Sequence, residues 1–167
     1  MALNISATAT GPLFSGKAPA IVQSNLDRAI TEATLLLDAK VKSHTPQGVY
    51  GAQGGLLGSI QSEVTGKGTP LVKGSVMSAH KYAEVVEKGR TPGKGMPPKG
   101  TLLRWLEVKL GLDSKHASQI EYVVRRSIGR KGFAGAHMFE KALNENWSAL
   151  QSIFDRHGLT IARELSE

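Results

Sequence analysis

The sequence predicts an α+β protein with a long N-terminal helix, a small antiparallel sheet, a helical insertion and a long C-terminal helix packed on the sheet. Three patterns indicate this class. Apolar side chains recur every three or four positions over residues 24–43, and again from Met138 almost to the end of the chain, as in amphipathic helices. Between them, residues 59–64 alternate apolar and polar side chains, as in a half-buried strand.

The order of the elements follows from these periodic stretches and from the glycines and prolines that separate them. The first helix begins at Ser24, with Asp27 three residues later as in a capping box, and it ends before Pro46. The predicted series is an extended arm over 1–20, a helix over 24–43, a glycine-rich loop over 47–58, strands over 59–64 and 71–78, a short helix over 82–88, a mobile basic loop over 90–100, and helices from Thr101, Ser114 and Met138. Residues 21–167 are expected to form one domain, with a helical insertion at about 90–132.

Glycines are expected to end or bend the later helices. Gly111 ends the helix that Thr101 caps, and Gly158 kinks or breaks the C-terminal helix. The helix from Ser114 is expected to stop at 129–132 and to turn four apolar residues inward: Ala117, Ile120, Val124 and Ile128.

The composition is that of a basic globular chain. Hydrophobic residues make up 40% of the 167 residues, and 21 lysines and arginines against 14 acidic residues give a net charge of +7. This balance favours a polyanion, an acidic partner protein or a pore that conducts DNA, although many small basic domains bind no nucleic acid. No cysteine is present, which excludes a disulfide framework and a cysteine nucleophile. No stretch reaches the roughly 20 apolar residues that span a bilayer, so no membrane partner is expected.

No pattern predicts catalysis, a metal or a cofactor. The five histidines stand singly, without HExxH, which leaves only a site built from distant histidines. Glu84 and Glu87 share a helical face, but this spacing is more typical of a solvated surface that pairs with lysines than of an acid–base pair. The glycine-rich loops match neither GxxxxGK[ST] nor GxGxxG, and Ser59 lies outside a GxSxG motif. The sequence therefore predicts a non-enzymatic protein.

Two groups of cations are candidates for contact with DNA or with a partner protein. They are Arg90, Lys94 and Lys99 in the basic loop, and Arg125, Arg126, Arg130 and Lys131 toward the end of the following helix. Such cations suffice to neutralise a phosphate backbone. No helix-turn-helix, zinc-finger or RNA-binding signature is evident, and only 5% of the residues are aromatic. The alternative function is therefore a DNA-binding module without sequence preference.

Three segments carry a resemblance to a known family. The first segment joins 43–46 (SHTP), through a glycine-rich loop, to 55–60 (GLLGSI), and its characteristic residues are Gly55, Leu56 and Ser59. The second segment is 81–89 (KYAEVVEKG), with Tyr82, Ala83, Glu87 and Gly89. The third segment is 136–142 (AHMFEKA), with Phe139. In this order they resemble the minor tail proteins of long-tailed phages known as tail-completion or head–tail joining proteins of the neck. Gly54 stands where that family has threonine, the prolines of its third segment are absent, and residues 90–132 exceed the short loop of its compact members.

The resemblance implies a structural virion protein, made in the host cytoplasm and located in the neck between head and tail. It implies a homo-oligomeric ring, six- or twelve-fold, around the DNA channel. Its partners would be the connector or stopper proteins of the head and the terminator or tube proteins of the tail, with a further contact to genomic DNA in the channel. The arm 1–20 and the loops 47–58 and 90–100 are the expected contact regions. The motif residues themselves are expected to determine the fold, with Tyr82 and Ala83 seating a helix on the sheet.

Overall fold

The computed structural model describes Pro12, residues 15–48 and residues 55–167. It confirms the α+β class, with a long helix toward each end of the chain and a small two-stranded antiparallel sheet. The chain divides into two compact units. The first contains the described residues as far as Leu37, residues 62–75 and residues 145–167, and the second contains the described residues of 38–61 and residues 76–144.

The described residues form seven helices and four strands. These are α1 (Ala18–His44), α2 (Gly55–Gly58), β1 (Ile60–Thr65), β2 (Lys73–Ser78), α3 (Ala83–Lys88), β3 (Gly89–Arg90), α4 (Leu103–Leu110), α5 (Ser114–Lys131), β4 (Phe133–Ala134), α6 (Met138–Glu145) and α7 (Trp147–Ser166). Pairing of β1 with β2 confirms the predicted hairpin. A second, very short antiparallel pair was not expected: Gly89 of β3 lies opposite Ala134 of β4.

Helix α1 is longer than the sequence predicts. It begins at Ala18, so residues 18–20 are helical and do not belong to an extended arm. Pro19 is compatible with this start because it lies in the first turn, where a missing N–H removes no helical hydrogen bond. The helix ends before Pro46, as expected. The earlier residues of the predicted arm, 1–11 and 13–14, lie outside the described residues.

The predicted loop over 47–58 is only partly described, because residues 49–54 lie outside the described residues. Its last part is the short helix α2, which begins at Gly55 with a φ of 63° and buries Leu56. Leu56 is 6% exposed and joins the core of the second unit. The apolar residues at 56 and 57 therefore belong to a packed turn and not to an open loop.

The core of the first unit lies between α1 and α7. Small residues on α1 allow the two helices to approach; the buried cluster consists of Ala29, Ala33, Leu150 and Ile153, with Leu36 and Leu37 packed against it. Strand β2 also comes close to α1, because a side chain at Gly74 would overlap the hydroxyl of Thr34.

The expected C-terminal helix is divided in two. Helix α6 ends at Glu145, and α7 begins after Asn146, whose φ of −114° and ψ of 13° depart from helical geometry. Gly158 neither kinks nor breaks the chain, since α7 continues past it to Ser166. Helix α6 shares a core with Ile60 of β1, and α7 packs against α1.

Candidate functional site

The three segments that carry the family resemblance meet in the core of the second unit. Its buried residues are Val41, Leu56, Ile60, Met138 and Ala142, and Leu57, Val76, Ala83, Val86 and Phe139 pack around them. Thr45 adds a polar contact, because its hydroxyl donates to the Val41 carbonyl at 2.6 Å and lies 3.2 Å from the sulfur of Met138. Thr45 and Met138 are 93 positions apart in the chain. The motif residues thus form one cluster instead of three separate surface features.

Glu87 holds the start of α6. Its carboxylate accepts hydrogen bonds from the backbone N–H groups of Phe139 at 3.1 Å and Glu140 at 3.2 Å, and its backbone carbonyl accepts one from the N–H of His137. The first N–H groups of a helix have no partner within the helix, and its N-terminus carries partial positive charge. The Glu87 side chain therefore caps α6 from a distant part of the chain.

Glu84, the other carboxylate of the predicted pair, has a different environment. It is exposed and accepts a hydrogen bond from Lys88 at 2.8 Å, and this ammonium group holds the pKa of Glu84 below its usual range. Because Glu84 pairs with a lysine while Glu87 binds backbone N–H groups, the two carboxylates do not form an acid–base pair.

Gly89 allows two backbone segments to approach closely. Its φ is 75°, in the region that residues with a side chain rarely adopt. A Cβ atom here would also overlap the backbone of residues 133–135, which runs alongside in β4 and the following turn. The N–H of Ala136 donates to the Val86 carbonyl at 2.8 Å just beyond this point. Gly89 is therefore a determinant of the fold, as expected.

Two further motif residues lie nearer the surface. The Ser59 hydroxyl donates to the Leu56 carbonyl and lies 2.7 Å from the hydroxyl of Ser78, so it ties α2 to the end of β2. Tyr82 is 44% exposed, and its ring lies 3.9 Å from the ring of His80. The two rings are tilted by 49°, and Tyr82 lies outside the core that Ala83 packs against.

The net positive charge is confined to residues 90–132. This segment has ten lysines and arginines and three acidic residues, which amounts to +7, whereas the rest of the chain has eleven of each. The segment comprises Arg90 of β3, the basic loop, α4 and α5, all within the second unit. The excess charge that the composition indicates is thus a property of one helical insertion.

The basic loop is fastened along α5. Three hydrogen bonds join it to α5: the Gly93 N–H donates to the Gly129 carbonyl, the Arg125 Nε to the Pro97 carbonyl at 2.7 Å, and the Gly100 N–H to the Glu121 carboxylate at 2.7 Å. Within the loop, the Arg90 guanidinium donates to the carbonyls of Lys94 and Gly95. The loop therefore runs back along the helix from its C-terminal end. The sequence, which led us to expect a mobile loop, gives no sign of these contacts.

Two of the seven predicted partner-facing cations form hydrogen bonds within the protein. Arg90 and Arg125 are partly buried, and both bind loop carbonyls. The other five are exposed, and in the described part of the chain no carboxylate forms an ion pair with any of them: Lys94, Lys99, Arg126, Arg130 and Lys131. The surface available to an anionic partner is therefore smaller than the one predicted.

The inward face of α5 differs from the prediction at one position. Ile120 is 37% exposed, whereas Glu121 is 3% exposed. The Glu121 carboxylate accepts hydrogen bonds from the N–H groups of Gly100 and Leu102, so it fixes the chain just before α4. Ala117 and Glu121, four positions apart, share the buried face of α5, and Ile120 lies beside this face.

A three-residue turn joins α4 to α5. Gly111 ends α4 in the left-handed conformation, with a φ of 64°. Asp113 caps α5, and the backbone N–H and then the ring of His116 hold the pKa of the Asp113 carboxyl below its usual range. Leu106 of α4 and Ala117 of α5 are both fully buried. This order, a short helix, a three-residue glycine turn and a longer helix, matches the connection of a helix-turn-helix.

Other parts of the described chain offer little for chemistry. An open depression of about 370 Å³ on α7 is lined by Trp147, Leu150, Gln151, Phe154 and Asp155, so one carboxylate is its only ionisable group. Among the described residues, no three histidine, aspartate or glutamate side chains come together as a metal site would require. No helix in this part of the chain is long and apolar enough to cross a membrane.

Comparison with known proteins gives no match: no protein-family model, no curated protein and no solved structure is significantly similar to the chain.

Proposed function

We propose that this chain is a non-enzymatic structural virion protein that forms a ring at the head–tail interface of a phage particle. In this proposal it joins the tail to the head around the DNA channel, between connector or stopper proteins on one side and terminator or tube proteins on the other. The proposal rests on the resemblance carried by residues 43–60, 81–89 and 136–142.

The convergence of the three motif segments is the observation that supports this proposal. Leu56, Met138 and Ala142 share one buried core, and Glu87 of the second segment caps the helix that the third segment begins. Contacts among them are expected if the segments specify a common fold.

Charge reversal of two exposed loop lysines tests the proposal. In particles assembled with Lys94→Glu/Lys99→Glu as the sole copy, we expect separate heads and tails to accumulate, because the basic loop would repel DNA or an acidic connector surface. Electron microscopy counts joined and unjoined particles. Lys67→Glu/Lys73→Glu is the matched control, since both lysines are exposed, lie outside residues 90–132 and give the same change of charge. Fully infectious particles from the Lys94/Lys99 variant would contradict the proposed role of the loop.

A second candidate function is binding to the phosphate backbone of nucleic acid without sequence preference. It is favoured by the confinement of the +7 charge to residues 90–132 and by the five cations there that pair with no carboxylate in the described part of the chain. Binding of this kind weakens steeply with salt, because each neutralised phosphate releases counterions. Retention on mixed-sequence duplex DNA at increasing salt tests it, and a chain that is not retained at about 50 mM salt does not have this function.

A further inference from the structure

We infer that α4, the Gly111 turn and α5 form a DNA-reading helix-turn-helix, in which α5 enters the major groove of duplex DNA and its first turns contact base edges. This inference rests on the second candidate function, polyanion binding by residues 90–132, and is independent of the virion proposal. It also adds sequence preference, which the second candidate lacks.

The connection between the helices supports the inference. A helix-turn-helix has two helices joined by three or four residues, often including glycine, and its second helix lies in the groove. Here residues 111–113 join an eight-residue α4 to an eighteen-residue α5. Gly111 has the positive φ that a tight turn requires, and Leu106 of α4 and Ala117 of α5 are fully buried.

The outward face of α5 has the side chains that such a role needs. Residues 115, 119, 122, 126 and 130 follow one another by three or four positions, and 118 lies beside 119, so all six lie on one side of the helix. They are Lys115, Ser118, Gln119, Tyr122, Arg126 and Arg130, and all six are exposed. Glutamine pairs with adenine and lysine with guanine in the major groove, while arginine also binds phosphates.

The carboxylates near this face accept hydrogen bonds from groups within the protein. The acidic residue within α5 is Glu121, which is buried and accepts hydrogen bonds from the loop before α4. Asp113, at the start of the helix, has one oxygen bound by the N–H of His116 and the other by its ring. Glu107 of α4 accepts a hydrogen bond from the Ser114 hydroxyl at 2.8 Å and pairs with Arg104. Asp113 therefore leaves an exposed carboxylate at the first turn, and beyond it the outward face of α5 has cations and no exposed carboxylate, which complements a phosphate backbone.

The basic loop lies where its lysines can contact the phosphate backbone of DNA beside α5. Its carbonyls at 94, 95 and 97 bind Arg90 and Arg125, and the Gly93 N–H binds the Gly129 carbonyl. Lys94 and Lys99 are thus held alongside α5 while their side chains stay exposed. A helix that contacts bases and flanking cations that contact phosphates are the two parts of a specific DNA interface.

Selection of duplexes from a random-sequence pool tests the inference with the full chain. We expect enrichment of a defined short sequence. Gln119→Ala is expected to weaken binding to that sequence about 5- to 100-fold while leaving affinity for mixed-sequence duplex nearly unchanged. Arg130→Ala is expected to weaken both equally and to reduce the salt dependence by about one phosphate contact. Gln151→Ala, an exposed glutamine on α7, is the matched control and should change neither affinity.

The outcomes separate this inference from the function on which it rests. Salt-dependent binding to duplex DNA without enrichment of any sequence would overturn base reading and leave backbone binding intact. No binding to any duplex at low salt would overturn both. Equal effects of Gln119→Ala and Gln151→Ala on the selected sequence would contradict the assignment of α5 as the reading helix.

Discussion

At the scale of single residues, Glu87 is the side chain whose role is most clearly defined by its contacts. Replacing it with alanine leaves the N–H groups of Phe139 and Glu140 without their acceptor. We expect Glu87→Ala to lower the free energy of unfolding by about 1–2 kcal/mol, the usual cost of losing a helix cap. Urea denaturation measures the change. Glu84→Ala on the same helix removes only an exposed pair with Lys88, so it should have a much smaller effect; equal effects would contradict the capping role.

Gly89 provides a second residue-scale prediction, because backbone strain and steric overlap both oppose a side chain at this position. Gly89→Ala adds a methyl group that overlaps the backbone at Phe133 and Gly135, in addition to the cost of a positive φ. Gly93 has a similar φ of 82° but open space around its Cβ position. We expect Gly93→Ala to lower the free energy of unfolding by about 1–2 kcal/mol, the cost of the backbone conformation alone. Gly89→Ala should lower the midpoint of thermal unfolding further than Gly93→Ala does. Comparable midpoints for the two variants would contradict the close approach of the backbone to Gly89.

At the scale of elements, two neighbouring arginines of α5 have opposite roles. Arg125 donates to the Pro97 carbonyl and holds the loop, whereas Arg126 is exposed and faces outward. We expect Arg125→Ala to speed amide hydrogen exchange in residues 91–101, because one of the loop's attachments is lost. Arg126→Ala should leave exchange in the loop unchanged and weaken binding to duplex DNA. Faster exchange in both variants, or in neither, would contradict the division of roles.

The same helix shows what the sequence can and cannot predict. Its start at Ser114 and the inward position of Ala117 follow from periodicity and capping. The inward position of Glu121 does not, because its partners are backbone N–H groups at 100 and 102, which only the folded loop brings to it. The one sign in the sequence is that Glu121 has the helical spacing of the inward residues Ala117, Val124 and Ile128. The apolar side chain of Ile120 beside it favours the other assignment.

Prediction was similarly incomplete at the C-terminal helix. The apolar period from Met138 onward was correct, but a period does not show whether two helices share one axis. The break falls at Asn146, and Gly158, the residue with the weaker helix propensity, stays helical within α7. The capping contact of Glu87 with α6 also could not be predicted from the sequence, because it joins residues more than fifty positions apart.

At the scale of the whole molecule, the charge distribution divides the chain into a neutral part and a basic insertion. The motif residues that resemble neck proteins belong to the neutral part, and the cations available to a polyanion belong to residues 90–132. The fold-determining core residues and the exposed cations of the insertion thus lie in different segments. This separation means that charge variants of the insertion should affect DNA binding without changing the core around Met138.

The measurement that tests the central proposal most directly is localisation of the chain in purified phage particles. Particles from cells that encode the chain would be purified, analysed by mass spectrometry, and labelled with antibodies against the chain for electron microscopy. The proposal predicts that the chain is present in several copies per particle and that the label lies at the junction of head and tail. A chain that is absent from purified, infectious particles, or label spread over the capsid, would contradict it.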